Sequence, residues 1–343
     1  MTNRAKNILY TALLLLAMFG VWKYRQGQII LPTQIEGKTM GTTYHITYFD
    51  REGRVFQTAV DSLFVLINRS ISTYDTTADI ARFNKGTHGV RFTTPYFFPP
   101  LKKSQKVFSG SNGCYDPTVM PLVNAWGFGP KKVSVPDTAE VMAVRAFVGF
   151  EKIQFNEDSV WKTDPRAQLD FSGIGQGYGS DVVAEFFESK GIDNYFIELG
   201  GEGVAKGKNL KENRVWEVGV LDPNSDYISK AYKAYVKLDN MGYSTSGNYF
   251  NFREVNGRKY SHTIDPKSGF PAERALLSAT VFAKDCTTAD AWATAFMVMG
   301  HEKAIEILPQ HPELDVLLIY SQPDGKQAVY VSERMKSAVQ INP

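Results

Sequence analysis

Cysteine is scarce in this sequence: 343 residues carry only Cys114 and Cys286. A disulfide framework and a zinc site built on cysteines are thereby excluded, leaving one pair that could bridge or, as we expect, stay reduced and buried. An excess of one charge sign is missing as well. Lys and Arg number 38 against 36 Asp and Glu, and the formal net charge of +2 gives no electrostatic case for nucleic acid as a partner. Long hydrophobic runs are confined to one place, Ile8–Trp22. Preceded by Arg4 and Lys6, it has the charged start and short apolar core of a secretory signal. The run is short for a full membrane span, no small-x-small cleavage site follows, and it holds no cysteine for lipid attachment. Residues 1–28 therefore read as a signal or uncleaved anchor with the polar linker Lys23-Tyr-Arg-Gln-Gly-Gln28, the competing reading being a buried helix of the fold. The remainder, 29–343, is expected on the periplasmic side of the cytoplasmic membrane, tethered or released. Its apolar content, 43% over the whole chain, suits one large domain or two packed lobes.

What is present is concentrated between Tyr260 and Gly300. The stretch Thr287–Met299 reads as a helix with hydroxyl caps at its start, no interior Gly or Pro, and Gly300 to end it. It is apolar on nearly every face, hence buried. Asp290 and Thr294 are its only polar interior residues and, at i and i+4, share one face. A carboxylate buried there needs pairing, hydrogen bonds or a metal. Asp plus Thr are hard oxygen donors that suit Mg²⁺, with backbone oxygen, water or a substrate phosphate completing the shell. The plainer reading is a loop-capping Asp and a Thr bonded to its own preceding turn. Opposite this helix lies Ser261-His-Thr-Ile-Asp-Pro-Lys-Ser-Gly269, read as a strand from Arg258 to Ile264 and a turn. His262 is a natural general base for a hydroxyl nucleophile, although a lone His is more often structural.

Earlier in the chain, Thr39-Met-Gly41 leads into a strand through Tyr48, and Phe56–Asn68 has helical spacing of Val60, Leu63, Phe64 and Ile67. Tyr74 follows as an exposed aromatic that could stack on a flat ligand ring or simply pack. Asp116, held extended before Pro117, could cap the next segment or accept from a ligand hydroxyl. Trp126-Gly-Phe-Gly-Pro130 reads as a surface loop. A helix is expected from Val135 to Val148, then a strand pair around Ile153 and Val160. Glycines 173, 175, 177 and 179 read as a loop feeding a helix from Val182 to Lys190. They allow close approach of a ligand phosphate to the helix start or, by default, close packing. Strand Tyr195–Leu199 ends in Gly200-Gly-Glu-Gly203, which should meet the first glycine cluster at one sheet edge. Tyr243–Tyr249 reads either as a phosphate pocket lining or as an ordinary turn.

These residues carry a resemblance. Ser172-Gly-Ile-Gly-Gln-Gly-Tyr-Gly-Ser-Asp181, Glu198-Leu-Gly-Gly-Glu202, Ser244-Thr-Ser-Gly-Asn248, His262-Thr-Ile-Asp-Pro266 and Ala289-Asp-Ala-Trp-Ala-Thr-Ala295 follow the order and spacing of the ApbE family, the FAD:protein FMN transferases. Met40-Gly-Thr42, Ser72-Thr-Tyr74, Arg82-Phe-Asn84 and Tyr115-Asp-Pro-Thr118 match as well, so the likeness spans roughly residues 35 to 335. It implies an α+β, ApbE-like (T-fold-like) fold of mixed sheets and packed helices, with FAD in a cleft between lobes. The implied activity is Mg²⁺-dependent cleavage of FAD, joining FMN by a phosphoester to a Ser or Thr of a partner protein and releasing AMP. The family's usual client is a subunit of a membrane redox complex. By the same likeness Asp290, Thr294 and the backbone oxygen of Gly175 are metal ligands, and His262 is the base. Met40, Tyr74, Cys114, Tyr115, Asp116, Ser172, Asp181 and Ile264 fall where the family touches FAD.

Two positions depart from the family pattern. Its usual Gly-Ile-Ala-Lys-Gly is here Gly173-Ile-Gly-Gln-Gly177, which removes a cation, and Glu198 stands where Asn is more common. Two other classes fit the same residues: an Mg²⁺-dependent FAD pyrophosphatase, with water in place of the protein hydroxyl, and a periplasmic flavin-binding protein without turnover.

Overall fold

Strand-forming, alternating segments recur along the chain, and their pairing explains the architecture. A computed structural model describes residues 2–26, 30–129, 134–225, 231–248, 252–255 and 258–342. Its main sheet has eight strands: β1 (Pro32–Thr39), β2 (Thr42–Phe49), β3 (Tyr195–Leu199), β4 (Glu202–Lys206), β5 (Met241–Gly247), β6 (Leu276–Ala283), β7 (Asp315–Ser321) and β8 (Gln327–Val331). Their order in the sheet is their order in the chain, and every neighbour is antiparallel. The sheet is thus one long meander, and its insertions carry the helices and the site.

The inner strands are buried on both faces, which is why they read as apolar runs rather than clean alternations. In β6 and β7 the period of two still sorts side chains. Ala279, Val281, Val316 and Leu318 face a helical layer, whereas Phe282, Leu317 and Ile319 face a second sheet. That second sheet is built from Arg214–Leu221, Tyr232–Leu238, Val339–Ile341 and Lys208–Asn209. The helical layer holds α2 (Gln57–Ile71), α3 (Phe98–Gly110), α4 (Gly175–Ser189) and α5 (Cys286–Met299), whose apolar faces form the largest core cluster. The fold is therefore α+β, as expected.

An N-terminal helix, α1 (Asn3–Gln26), stands apart. Its Asn3–Val21 stretch is long and apolar enough to cross a membrane and buries nothing against the rest of the protein. The buried-helix reading is thereby overturned. The helix runs through Lys23–Gln26, where a linker was expected, while 27–29 lie outside the described residues.

Four further expectations are corrected. Trp126 is not on a surface loop: it is buried, and its indole N–H donates to the Gly269 carbonyl (2.8 Å) in a satellite core with Leu122, Val141 and Ile264. Residues 130–133, the end of that expected loop, lie outside the described residues. The glycine-rich stretch is not a loop before a helix, because α4 already begins at Gly175. Met241–Gly247 is neither turn nor pocket lining but the inner strand β5, with Tyr249 outside the described residues. The strand expected through Ile264 ends at Ser261, as half of a short hairpin with Phe252–Val255.

Candidate functional site

A wide cleft opens where the β1–β2 turn, the end of α2, the start of α4 and the segment after the 252–261 hairpin converge. Its volume is ≈ 760 Å³, and Met40, Ser72, Tyr74, Phe128, Ser172, Gln176 and His262 are among its lining residues. Met40 and Gly41 are the two central residues of a hairpin closed by the Thr39–Thr42 pair, with φ 51° and 76°. Two positive φ values mark the hairpin turn that matches strand twist, so a Met is held in a left-handed conformation at the cleft floor. A Cβ on Gly175 would stand 3.4 Å from Met40 Cε and 3.3 Å from Ile71 Cδ1, so the glycine seats both side chains. Tyr74 is 73% exposed at the rim. Among the described residues lining the cleft there is no Lys or Arg.

Behind the cleft floor three backbones meet. A Cβ on Gly242 of β5 would lie 2.3 Å from the Cys286 amide nitrogen, so only glycine lets the first turn of α5 rest on that strand. A Cβ on Gly177 would lie 2.5 Å from the Cys286 carbonyl oxygen and 2.7 Å from Asp290 Cβ, and one on Gly173 would lie 2.7 Å from Thr294 Oγ1. The two cradle glycines thus press the start of α4 against the Asp290 and Thr294 face of α5. Asp290 is 4% exposed, and its Oδ2 accepts from the Gly177 amide (3.0 Å). It therefore caps α4, whose Gly177 N–H is thereby taken. Oδ1 has only a 3.5 Å contact from the Ser244 hydroxyl. Burial holds the Asp290 carboxyl above its ordinary range, with the Gly177 and Ser244 donors opposing.

Glu202, which the sequence reading placed in a motif without a role, lies beside it. It is 8% exposed, and its Oε2 has no hydrogen-bond partner. Burial, then the Asp290 charge, pushes its carboxyl well up. The signal available in sequence was an acid at the start of a strand that continues as Gly203-Val-Ala205.

The remaining expected residues divide. Ser172 lines the cleft, its amide (2.8 Å) and hydroxyl (2.5 Å) both donating to Asp170 Oδ1, a buried carboxylate that also lines the cleft and that the sequence reading passed over. Asp116 caps the turn Pro117–Val119 through the Thr118 amide and hydroxyl (2.8 and 2.6 Å), and burial pushes its carboxyl up to about 6. With Lys267 and Arg145 it lines a separate ≈ 270 Å³ hollow. Cys114 is a buried free thiol, as is Cys286. Tyr115 is buried with its hydroxyl on Ser104 (3.0 Å). Asp181 accepts from the Cys286 and Thr287 amides (2.9 and 2.8 Å) and from the Thr287 hydroxyl, fastening the start of α5. Ile264 belongs to the satellite core that seats the segment carrying His262. The structure thus gathers Met40, Tyr74, Ser172, Gly175 and His262 around one cleft and sets the other expected flavin contacts outside its lining.

Both departures have a local explanation. Glu198 Oε2 meets its cross-strand partner His45 Nδ1 (2.9 Å), and its Oε1 accepts from the Gly201 amide (2.8 Å), so it serves the β3–β4 turn. Gln176 packs on that turn: a Cβ on Gly200 would lie 3.0 Å from its side-chain amide, so the two glycine clusters do meet.

A family profile described as the ApbE family matches residues 40–318. The chain belongs to the ApbE family. The FAD:protein FMN transferase of Vibrio cholerae is 36% identical over 298 residues, 85% of this chain and 88% of that one. That of Haemophilus influenzae is 36% identical over 308 residues, with 85% and 87% covered. Among solved structures, the flavin transferase ApbE from Vibrio cholerae superposes with a TM-score of 0.81 at 34% identity, covering 90% of this chain and 100% of that one. The Pseudomonas stutzeri flavinyl transferase ApbE, apo form, gives 0.80 at 30% identity, with 90% and 97% covered. The family's α+β architecture is thus this chain's as well.

Proposed function

We propose that this ApbE-family protein is an FAD:protein FMN transferase: it cleaves FAD and joins FMN through a phosphoester to a Ser or Thr of a partner protein. The observation that carries this reading is a ≈ 760 Å³ cleft with the exposed Tyr74 at its rim and His262 on its wall, backed by the Asp290 and Thr294 face of α5. The pyrophosphate of FAD is anionic, and no Lys or Arg lines this cleft among the described residues, so a cation must offset its charge.

The donor chemistry fits Mg²⁺. A buried carboxylate with one oxygen scarcely bonded, a hydroxyl one turn on, and the neighbouring Gly175 backbone make a hard-oxygen set. Among the described residues no cluster of three or more His, Cys, Asp and Glu is placed to hold a metal, so hydroxyl and carbonyl oxygens are needed beside the carboxylate. When bound, Mg²⁺ would neutralise charge on the phosphates and favour in-line displacement.

The chain's own residues do the rest. Tyr74 stacks on the flavin ring, Met40 and Ile71 floor the cleft, and Ser172, held by Asp170, offers a polar contact. Cys114, Tyr115, Asp116, Asp181 and Ile264 support the walls, fixing the 111–118 segment, the start of α5 and the His262 segment; any direct flavin contact would require the walls to close on the ligand. His262 takes the proton of the acceptor hydroxyl as its oxygen bonds to the FMN-side phosphorus. The bridging P–O bond breaks, and AMP leaves with the electron pair. Periplasmic placement rests on reading α1 as a signal or anchor, with Arg4 and Lys6 as its charged start and an apolar stretch long enough to cross a membrane. A membrane redox subunit is then within reach as acceptor.

The test is product analysis with FAD and Mg²⁺. Release of AMP that depends on acceptor protein and is lost in Asp290→Ala supports transfer. Free FMN with AMP in the absence of acceptor would instead support a pyrophosphatase, and FAD bound but unchanged would support a binding protein. Unchanged AMP release by Asp290→Ala would remove the metal assignment.

A further inference from the structure

Glu202 opens β4 directly after the Gly200-Gly201 turn, whose φ values of 69° and 105° bring the chain back sharply beside β3. The Gly203–Tyr243 pair of β4 and β5 places Ser244 at the next register position, beside Glu202. Gly242 and Ser244, two apart on β5, share the face that carries α5: Gly242 underlies Cys286, and Ser244 reaches Asp290 one turn further on. Glu202 and Asp290 are therefore brought to one buried spot, with Ser244 between them. Among the described residues nothing cationic is bonded to either carboxylate: Asp290 has the Gly177 amide, Glu202 has its own backbone amide, and Ser244 has contact with both. A buried acid with an unbonded oxygen beside another buried acid is a costly arrangement that a protein keeps only where something else completes it.

We propose that Glu202 is a further arm of the cation site, its Oε2 facing the Mg²⁺ held at Asp290, either as a direct ligand or through one bound water. The inference rests on the transferase reading only in taking the cation to lie at Asp290. It gives the site a second carboxylate, so that cation charge is matched within the protein before any phosphate arrives, and it accounts for the orphaned oxygen. It also offers compensation for Gln176: a more firmly held divalent cation stands in for a side-chain cation on the loop.

The test compares full-length protein with Glu202→Gln in detergent, reading Mn²⁺ affinity by electron paramagnetic resonance and melting temperature with EDTA or with Mg²⁺. Glu202→Gln is nearly isosteric and replaces one of two crowded acids with a group that cannot ionise. The expected result is a tenfold or greater loss of Mn²⁺ affinity, together with a higher melting temperature than wild type in EDTA and a smaller rise on adding Mg²⁺. A purely structural Glu202 would show the reverse: a lower melting temperature in EDTA and unchanged Mn²⁺ affinity and Mg²⁺ response, which overturns the proposal. Wild-type protein that takes up no Mn²⁺ would overturn both this inference and the metal assignment beneath it. Uptake by wild type that Asp290→Asn abolishes and Glu202→Gln leaves intact would overturn the inference alone. Glu202→Asp, which shortens the arm but keeps its charge, should recover part of the affinity that Glu202→Gln loses.

Discussion

At Gly177 a single methyl group would do unusual damage. The added carbon would meet backbone at Cys286 and the Cβ of Asp290, neither of which can swing away. Gly177→Ala should therefore cost about 1–3 kcal/mol of stability or more and displace the Asp290 carboxylate, read as a lower melting temperature together with weaker Mn²⁺ binding. His262 is the opposite case, a cleft-wall residue whose loss should leave FAD affinity nearly unchanged while transfer falls by about 10²–10⁴-fold. Normal transfer by His262→Ala would remove its role as base. The placement of Asp290 and Thr294 within a buried helix, and of His262 near a turn, was legible in sequence because an isolated polar group in an apolar helix, or a His beside a turn, stands out against its surroundings. Glu202 was not, since its significance depends on α5 being pressed onto β5. Nor were the partners of Tyr115 and Asp181: only the fold shows the first bonded to Ser104 and the second to the start of α5.

Among the elements, α5 decides whether the site exists. Its start is held by Asp285, which accepts from the Thr288 amide (2.8 Å) and binds Lys103 (3.0 Å), and again by Asp181. Asp285→Ala should lower stability by about 1 kcal/mol through the lost cap, and a melting temperature equal to wild type would contradict that role. The sequence pattern located α5 to within a residue at its start, because apolar continuity and Gly300 (φ 85°) bound it clearly. It misplaced the start of α4 by seven residues, Gly175 rather than Val182. Glycine is a poor helix former, yet here tertiary contact overrides propensity: Gly177 lies in the helix where the backbone of Cys286 leaves no room for a Cβ, and Gly179 packs closely on Leu199 and Met40. A similar reason hid β5, whose Ser-Thr-Ser-Gly sequence resembles a turn until two strands and a helix enclose it.

Over the whole molecule, buried carboxyls set an unusual pH dependence. Asp116 is pushed up to about 6, chiefly by burial, and Asp181 to about 7 by burial and then the Asp285 charge, both from 3.8. The folded protein thus holds these protons more tightly than the unfolded chain. That stabilisation is complete below the unfolded value and is lost as pH rises through about 6 and about 7. Asp50 and Asp164, held down to about 2 by Arg54 and Arg166, act in the opposite sense but only in more acid solution. The metal-free protein should therefore melt at progressively lower temperature between about pH 4 and pH 7, and a rise over that interval would contradict the assignment. The antiparallel meander was only partly legible, since long insertions separate β2 from β3, β4 from β5, β5 from β6 and β6 from β7. The detached α1 was legible because nothing in its composition needs the core. The central claim concerns the cleft as a whole, and intact-mass spectrometry of an acceptor protein incubated with this enzyme, FAD and Mg²⁺ tests it most directly. The expected result is an acceptor heavier by one FMN less one water, with the mass on a Ser or Thr and one AMP formed per adduct; an acceptor of unchanged mass beside free FMN and AMP would contradict it.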